Sequence, residues 1–329
     1  MIKKNFNILT IDGGGIRGIY SAIILKKIEK KFSIKLNEHF DLIAGTSTGS
    51  ILASAIAYDI PLDEVIALYK NEGKNIFKSR RASIGGLLKS KYDNNHLKKI
   101  LNEKFNEKTL SDDSIKTRLM IPTTDISNGD VHVIKSYYLK EFKRDKDRMI
   151  KDVILSSCSA PLYFNPNKLD EFLLADGGLW ANSPVLVALA EAKKIFKMEP
   201  NDVIIISIGT GVEENDYHIN TKWWGFLTGW KREKLISMIL NLQTKTNNSL
   251  LQFLMPKENI LRLTYTSDKA LPLDDVSQNE NLLSKADKDF SDRHSEIQSF
   301  INSKDKNKRI PALISRNPFA FSFNDSMQS

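Results

Sequence analysis

Phe40-Asp41-Leu42-Ile43-Ala44-Gly45-Thr46-Ser47-Thr48-Gly49 is the stretch on which the reading of the chain turns. Leu42 to Ala44 is a short apolar run that reads as a buried strand. The apolar run from Ser50 to Tyr58 reads as a helix. Between them lies Gly45-x-Ser47-x-Gly49, the G-x-S-x-G pattern of a nucleophile elbow in its strand–turn–helix setting. Glycine has no Cβ, so the backbone can turn sharply and leave room around the serine. The hydroxyl is then presented at a helix N-terminus, where N–H groups and the dipole favour developing negative charge. The plainer reading is a tight turn in which Ser47 only caps the helix.

Upstream, Phe6 to Ile11 reads as a first strand and is followed by Asp12-Gly13-Gly14-Gly15-Ile16-Arg17-Gly18. A helix follows, with Ile19, Ala22, Ile23, Leu25 and Ile28 on a broad apolar face. A glycine run at a helix N-terminus offers free N–H groups to an anion. Gly13-x-Gly15-x-x-Gly18 fits the dinucleotide fingerprint, which also wants an acid at the end of the second strand. Here Asp41 stands at the start of that strand, and the strand's end carries the serine. The stronger reading is an oxyanion hole, with Gly13, Gly14 and Gly15 amides aimed at a tetrahedral intermediate on Ser47.

Downstream, Phe172 to Ala175 reads as a short strand ending in Asp176-Gly177-Gly178. Ser183 and Pro184 then read as the cap and first residue of a helix over Val185 to Phe196. Asp176 projects from a strand end, as Ser47 does. By itself such an aspartate forms an Asx-turn; beside the other motifs it reads as a catalytic base. Val203 to Ile208 is nearly all apolar, as suits a strand covered on both faces. Alternating strands and helices to about residue 211 argue for a mainly parallel α/β sheet.

Beyond residue 211 the character changes. Trp223, Trp224, Phe226, Leu227 and Trp230 lie close together among Lys222, Lys231, Arg232 and Lys234. Such a segment suits a membrane anchor or a lid, and burial against the domain or at a subunit interface is the plain alternative. Long helices are expected over Leu235 to Met255 and Glu280 to Ile301. A strand is expected over Ile260 to Tyr265, and a weakly structured tail from Pro311. The basic run from Gly73 to Ser90 reads as a solvated loop or as a contact for anionic headgroups.

Composition sets the outer bounds. The chain has 329 residues, 41% hydrophobic and 27% charged, an ordinary globular profile for one large domain or two. Its single cysteine, Cys158, allows no intrachain disulfide and suits a reducing cytoplasm. No run approaches a membrane span, and the first residues lack the apolar core of a signal peptide. The net charge of +8 favours anionic surfaces, lipid headgroups or nucleic acid. No metal-spaced Cys/His cluster, H-E-x-x-H or EF-hand loop is present, so no metal or other cofactor is expected.

Taken together, the glycine loop, the Gly45-Thr46-Ser47-Thr48-Gly49 elbow and Asp176-Gly177-Gly178 resemble the three motifs of the patatin-like phospholipases, in the same order. The resemblance covers roughly residues 6 to 211. It implies a three-layer α/β/α fold with a mainly parallel sheet as residues 1–211, and a mostly helical extension, 212–329, on the same domain. It implies a serine acyl hydrolase in which Ser47 attacks an acyl ester and Asp176 takes its proton, a dyad without histidine. Gly13, Gly14 and Gly15 would supply the oxyanion hole, with the Thr48 N–H adding to it. Gly18, Gly45, Gly49, Gly177 and Gly178 would shape the turns. Arg17 would meet a lipid phosphate or tie down the glycine loop.

The length, the Tyr92-Asp93 segment and the C-terminal helices are most similar to bacterial patatin-like effectors of antiphage defence. That implies membrane phospholipid as substrate, a cyclic nucleotide as activator, and a cytoplasmic enzyme that works at the inner membrane face. Self-association would be compatible with it, and no nucleic-acid partner is expected. Two rivals remain at this stage. One is a dinucleotide-binding or signalling module without ester chemistry. The other is an α/β-hydrolase with a Ser–Asp–His triad using His218 or His294, although that fold places several strands before its elbow.

Overall fold

A computed structural model describes residues 5–80, 89–213, 217, 221–268 and 271–302. Its centre is β1 (Phe6–Ile11), flanked in parallel by β2 (Leu42–Gly45) and by β7 (Val203–Ile208). The parallel set is completed by β3 (Arg118–Asp125) beside β2 and β9 (Ile260–Leu263) beside β7. Antiparallel strands close the β3 side: β4 (Asp130–Lys135) and β6 (Phe172–Asp176) pair with β3, and β5 (Asn167–Leu169) pairs with β6. A separate short parallel pair joins β8 (Val212–Glu213) to β10 (Thr266–Ser267).

Helices cover both faces, which is why β1 and β7 are buried along their whole length. On one face Phe6, Ile8, Leu42, Val203 and Ile205 pack with α8 (Val185–Lys194) and the end of α9 (Arg232–Leu254). On the other, Leu9, Ile11, Ile43 and Ile208 pack into the larger core. That core includes α1 (Gly18–Phe32), α3 (Thr48–Ala57) and α4 (Leu62–Ile76). It also takes in α5 (Asn94–Phe105), α6 (Ile150–Ser157), α10 (Asn279–Asp292) and α11 (His294–Asn302). The short helices α2 (Leu36–His39) and α7 (Gly178–Ala181) lead into β2 and away from β6. Period-two alternation sends neighbouring strand residues to opposite layers.

Several boundaries differ from the sequence reading. The basic stretch from Gly73 begins as helix, because α4 continues to Ile76; residues 81–88, with Arg81, lie outside the described residues. The single helix expected over Glu280 to Ile301 is two, divided at Arg293. Ser183 does not cap α8, which starts at Val185 after Pro184. Instead α9 holds Ser183: its N–H donates to Gln243 Oε1 at 3.2 Å, and Asn247 Nδ2 donates to its carbonyl at 3.0 Å. The tail from Pro311 and His218 lie outside the described residues. Residues after 211 add β9 to the central sheet and pack α10 against α1.

Candidate active site

The elbow is set by the crossing of β2 and α3 over β1. A Cβ on Gly45 would lie 2.2 Å from the Gly49 carbonyl oxygen, and one on Gly49 would lie 2.2 Å from that of Ile11. Both positions therefore exclude a side chain. Between them Ser47 has φ 53° and ψ −125°, a strained conformation that costs about 1–3 kcal/mol. Ser47 N–H donates to Ser157 Oγ at 3.0 Å, and Ser157 Oγ donates to the Pro122 carbonyl at 2.7 Å. The Ser47 side chain makes no capping hydrogen bond to α3, so the plain helix-cap reading does not hold.

The glycine loop lies across the end of β1, beside this turn. Gly13 N–H donates to the Asn182 carbonyl at 3.0 Å, and the Gly13 carbonyl accepts from Thr210 Oγ1 at 2.7 Å. The Gly13 N–H is therefore already used within the fold. The N–H groups of Gly14 and Gly15 have no partner among the described residues, and both glycines line one cavity with Ser47 and Thr48. A Cβ on Gly14 would sit 2.2 Å from Thr210 Oγ1. Gly15 has φ +58°, and its Cβ would meet the Leu273 carbonyl oxygen at 2.1 Å. Two glycines with open amides thus line the serine's cavity.

Arg17 settles between its two readings. It is buried, and its Nε donates to the Gly14 carbonyl at 3.1 Å, so it ties down the loop. It does not line the cavity. Gly18 lets α1 approach α3: a Cβ there would meet Thr48 Oγ1 and the Tyr69 hydroxyl, which are hydrogen-bonded to each other. Asp12, at the head of the loop, is buried and paired with Arg262, whose Nη1 donates to Ser207 Oγ at 2.7 Å.

Asp176 reaches the same place from the end of β6. Its N–H donates to the Ser159 carbonyl at 3.0 Å, and its Oδ1 accepts the Gly178 N–H at 2.7 Å. The Asx-turn is therefore present. The carboxyl lies beside the Ser47 side chain, which lines the same cavity and favours its charged form. Burial pushes its pKa up from 3.8 to about 7, against the downward pull of Ser47 and the Gly178 N–H. A Cβ on Gly177 would lie 2.3 Å from the Pro122 carbonyl oxygen. Gly178 lies beside the carboxyl and lines the cavity.

Most of the rest of the cavity wall is apolar. Ile51, Leu68, Phe77, Phe164, Ile236 and Leu240 line it, the last two from α9. Cys158 also lines it, and burial pushes its thiol pKa upward, so it behaves as an apolar group rather than a nucleophile. Among the described residues no histidine lines this cavity. His294 is half-buried and does not line the cavity. It stacks on Phe32 at 5.5 Å and meets Phe290 edge-on at 6.0 Å. Among the described residues no cluster of His, Cys, Asp and Glu could hold a metal ion, and no helix is long and apolar enough to cross a membrane.

Sequence reasoning missed Asn182, Tyr69 and the role of α9 as a cavity wall. Asn182 lines the cavity, and its Nδ2 donates to Thr244 Oγ1 of α9 at 2.9 Å. The residue four beyond Asp176-Gly177-Gly178 gives no local hint of this, because its partners come from distant elements.

Comparison with known proteins gives the family of the chain. The family described as "Patatin-like phospholipase" matches residues 9–189. A "cGAMP-activated phospholipase" of Pseudomonas aeruginosa is 35% identical over 62% of this chain and 62% of its own length. The chain thus spans less than two thirds of that relative. A "cGAMP-activated phospholipase" of Escherichia coli is 30% identical over 84% of this chain and 82% of its own. A "cUMP-AMP-activated phospholipase" of Escherichia coli is 28% identical over 80% of this chain and 82% of its own. The matched stretch contains the glycine loop, the elbow and Asp176, and on these grounds the chain belongs to the patatin-like phospholipase family.

Proposed function

We propose that the chain hydrolyses fatty-acyl esters of membrane phospholipids through a Ser47–Asp176 dyad, switched on by a cyclic nucleotide. One observation supports the chemistry above all. The Ser47 side chain shares a largely apolar cavity with the buried Asp176 carboxyl, whose pKa burial raises to about 7, and with two glycines whose amides are open. A carboxylate at its ordinary pKa of about 3.9 is a weak base at neutral pH, and raising that value brings it towards the range of a general base.

In the reaction Ser47 Oγ attacks the ester carbonyl as its proton passes to Asp176. The Gly14 and Gly15 N–H groups stabilise the oxyanion, each donor contributing about 2.7–4 kcal/mol by comparison with oxyanion-hole mutants. As the ester C–O bond breaks, protonated Asp176 returns the proton to the departing lysophospholipid oxygen. Water then attacks the acyl-enzyme and gives a proton to Asp176, which passes it to Ser47 Oγ as the acyl C–O bond breaks and the fatty acid leaves. The apolar wall from Ile51 to Leu240 accommodates the acyl chain.

Regulation by a cyclic nucleotide is supported by the named activators of the relatives, cGAMP and cUMP-AMP. Liposome hydrolysis tests both parts. Wild type is assayed for fatty acid and lysophospholipid with and without a panel of cyclic nucleotides, beside Ser47→Ala and Asp176→Asn. Release by wild type with one nucleotide, and by neither variant, is expected. Release by Ser47→Ala at the wild-type rate would dismiss the dyad. Equal release with and without every nucleotide would dismiss the switch alone.

A further inference from the structure

The segment Trp223 to Trp230 forms a built turn. The ring centroids of Tyr217, Trp224 and Trp230 lie 5.6, 5.5 and 5.3 Å apart in pairs. The Tyr217 hydroxyl donates to the Trp230 carbonyl at 2.7 Å, and Trp230 N–H donates to the Gly225 carbonyl at 3.2 Å. A Cβ on Gly229 would lie 2.2 Å from the Trp223 carbonyl oxygen, so the closure requires glycine. This scaffold presents Trp223, Phe226 and Leu227 outward, 78%, 48% and 57% exposed. Large apolar side chains gathered at a surface mark an interaction site.

The surrounding charge identifies the partner. Lys222 and Lys231 are exposed at the two ends of the turn, and no acidic residue occurs from Thr221 to Lys231. Tryptophan at headgroup depth, aliphatic and phenyl groups beyond it, and lysines for anionic headgroups are the chemistry of a bilayer interface. A second copy meeting the same patch symmetrically would instead oppose lysine to lysine.

The position of the turn links it to the cavity. α9 begins at Arg232, immediately after the turn, and its Ile236 and Leu240 line the cavity. With a rise of about 1.5 Å per residue, Ile236 stands roughly 6 Å along the helix from Arg232. A lipid surface held at the turn therefore lies at the head of the helix that forms one cavity wall.

We propose that the Trp223–Trp230 turn docks the protein onto an anionic phospholipid bilayer and brings acyl chains to the cavity beside α9. This rests on the reading of the site as a phospholipid hydrolase. The test uses the full chain and three readouts. These are flotation with vesicles of phosphatidylcholine, with or without phosphatidylglycerol, hydrolysis of the vesicle lipid, and hydrolysis of a water-soluble short-chain p-nitrophenyl ester. For Trp223→Ala/Phe226→Ala/Leu227→Ala, vesicle binding and vesicle hydrolysis are each expected to fall by about tenfold or more, with soluble-ester turnover kept within about twofold. Lys222→Glu/Lys231→Glu should erase the preference for phosphatidylglycerol vesicles. Ser47→Ala should still float with vesicles, so docking is read even if the hydrolase reading fails.

Wild-type binding by the triple variant would overturn the proposal. So would loss of soluble-ester turnover in step with vesicle hydrolysis, since the turn would then be a structural part of the site. Loss of self-association by light scattering, with vesicle binding intact, would assign the turn to a second copy and likewise overturn it.

Discussion

Asp176 is held in a state that favours chemistry over stability. Burial lifts its pKa to about 7, so at neutral pH about half the molecules carry the base form. The rate constant kcat/KM should therefore rise with pH through about 7 and level off above it. The same shift acts on folding. Between the unfolded value near 3.8 and the folded value near 7, the folded state binds more protons than the unfolded state. Stability therefore falls as pH rises through that window. Asp176→Asn removes the buried charge and can keep the Gly178 N–H bond through its amide oxygen. It should lose activity by about a thousandfold or more. It should also gain stability at pH 8, by up to about 4 kcal/mol. The gain should vanish near pH 4, as measured by urea unfolding at both pH values. Gly14→Ala places a methyl 2.2 Å from Thr210 Oγ1 and distorts the loop that offers the open amides. A fall in kcat of roughly 10²–10³ is expected with an unchanged circular dichroism spectrum. Ser47 and Asp176 were legible because their glycine neighbours mark strand-end turns within a few residues. The assignment of loop amides was not legible. Asn182, remote in sequence, decides that Gly13 is occupied while Gly14 and Gly15 are open.

At the scale of elements, α9 connects most of the site. It supplies cavity residues, holds Ser183 through Gln243 and Asn247, and begins beside the aromatic turn. Its first turn is tied down by Lys91, whose Nζ reaches Glu233 at 2.9 Å and Asp274 at 2.6 Å. Asp274 follows Leu273, whose carbonyl accepts the Ile16 N–H beside the glycine loop at 2.8 Å. One ammonium thus joins the start of α9 to the segment that backs the loop. Lys91→Met should loosen that start without orphaning Asp274, which keeps the Tyr92 hydroxyl. Amide hydrogen exchange over residues 232–240 should quicken by about fivefold to thirtyfold, corresponding to 1–2 kcal/mol. Unchanged exchange there would show that the helix is held by its other contacts. The existence of α9 was legible from its length and periodicity. Its role as a cavity wall was not, because an apolar face does not say what it covers. The aromatic turn was equally ambiguous: composition allowed burial or exposure, and only the packing of Tyr217, Trp224 and Trp230 separates scaffold from presented surface.

For the whole molecule, the strand-and-helix alternation and the unbroken apolar runs of β1 and β7 identified a parallel sheet covered on both faces. Strand order was not readable, since pairing β1 with both β2 and β7 depends on crossovers rather than on local composition. That order is what makes a site. It sets the ends of β1 and β2 side by side, and places the end of β6 next to them through β3. Glycine loop, elbow and aspartate meet there although they are spread over much of the chain. The central claim is that Ser47 is the nucleophile of this site and Asp176 its base. Labelling with a serine-reactive fluorophosphonate, followed by peptide mass mapping, tests it most directly. The label should fall on Ser47, be absent from Ser47→Ala, form much more slowly in Asp176→Asn, and be unaffected by His218→Ala or His294→Ala. A well-folded protein left unlabelled at Ser47, or one whose labelling a histidine variant abolishes, would contradict the dyad.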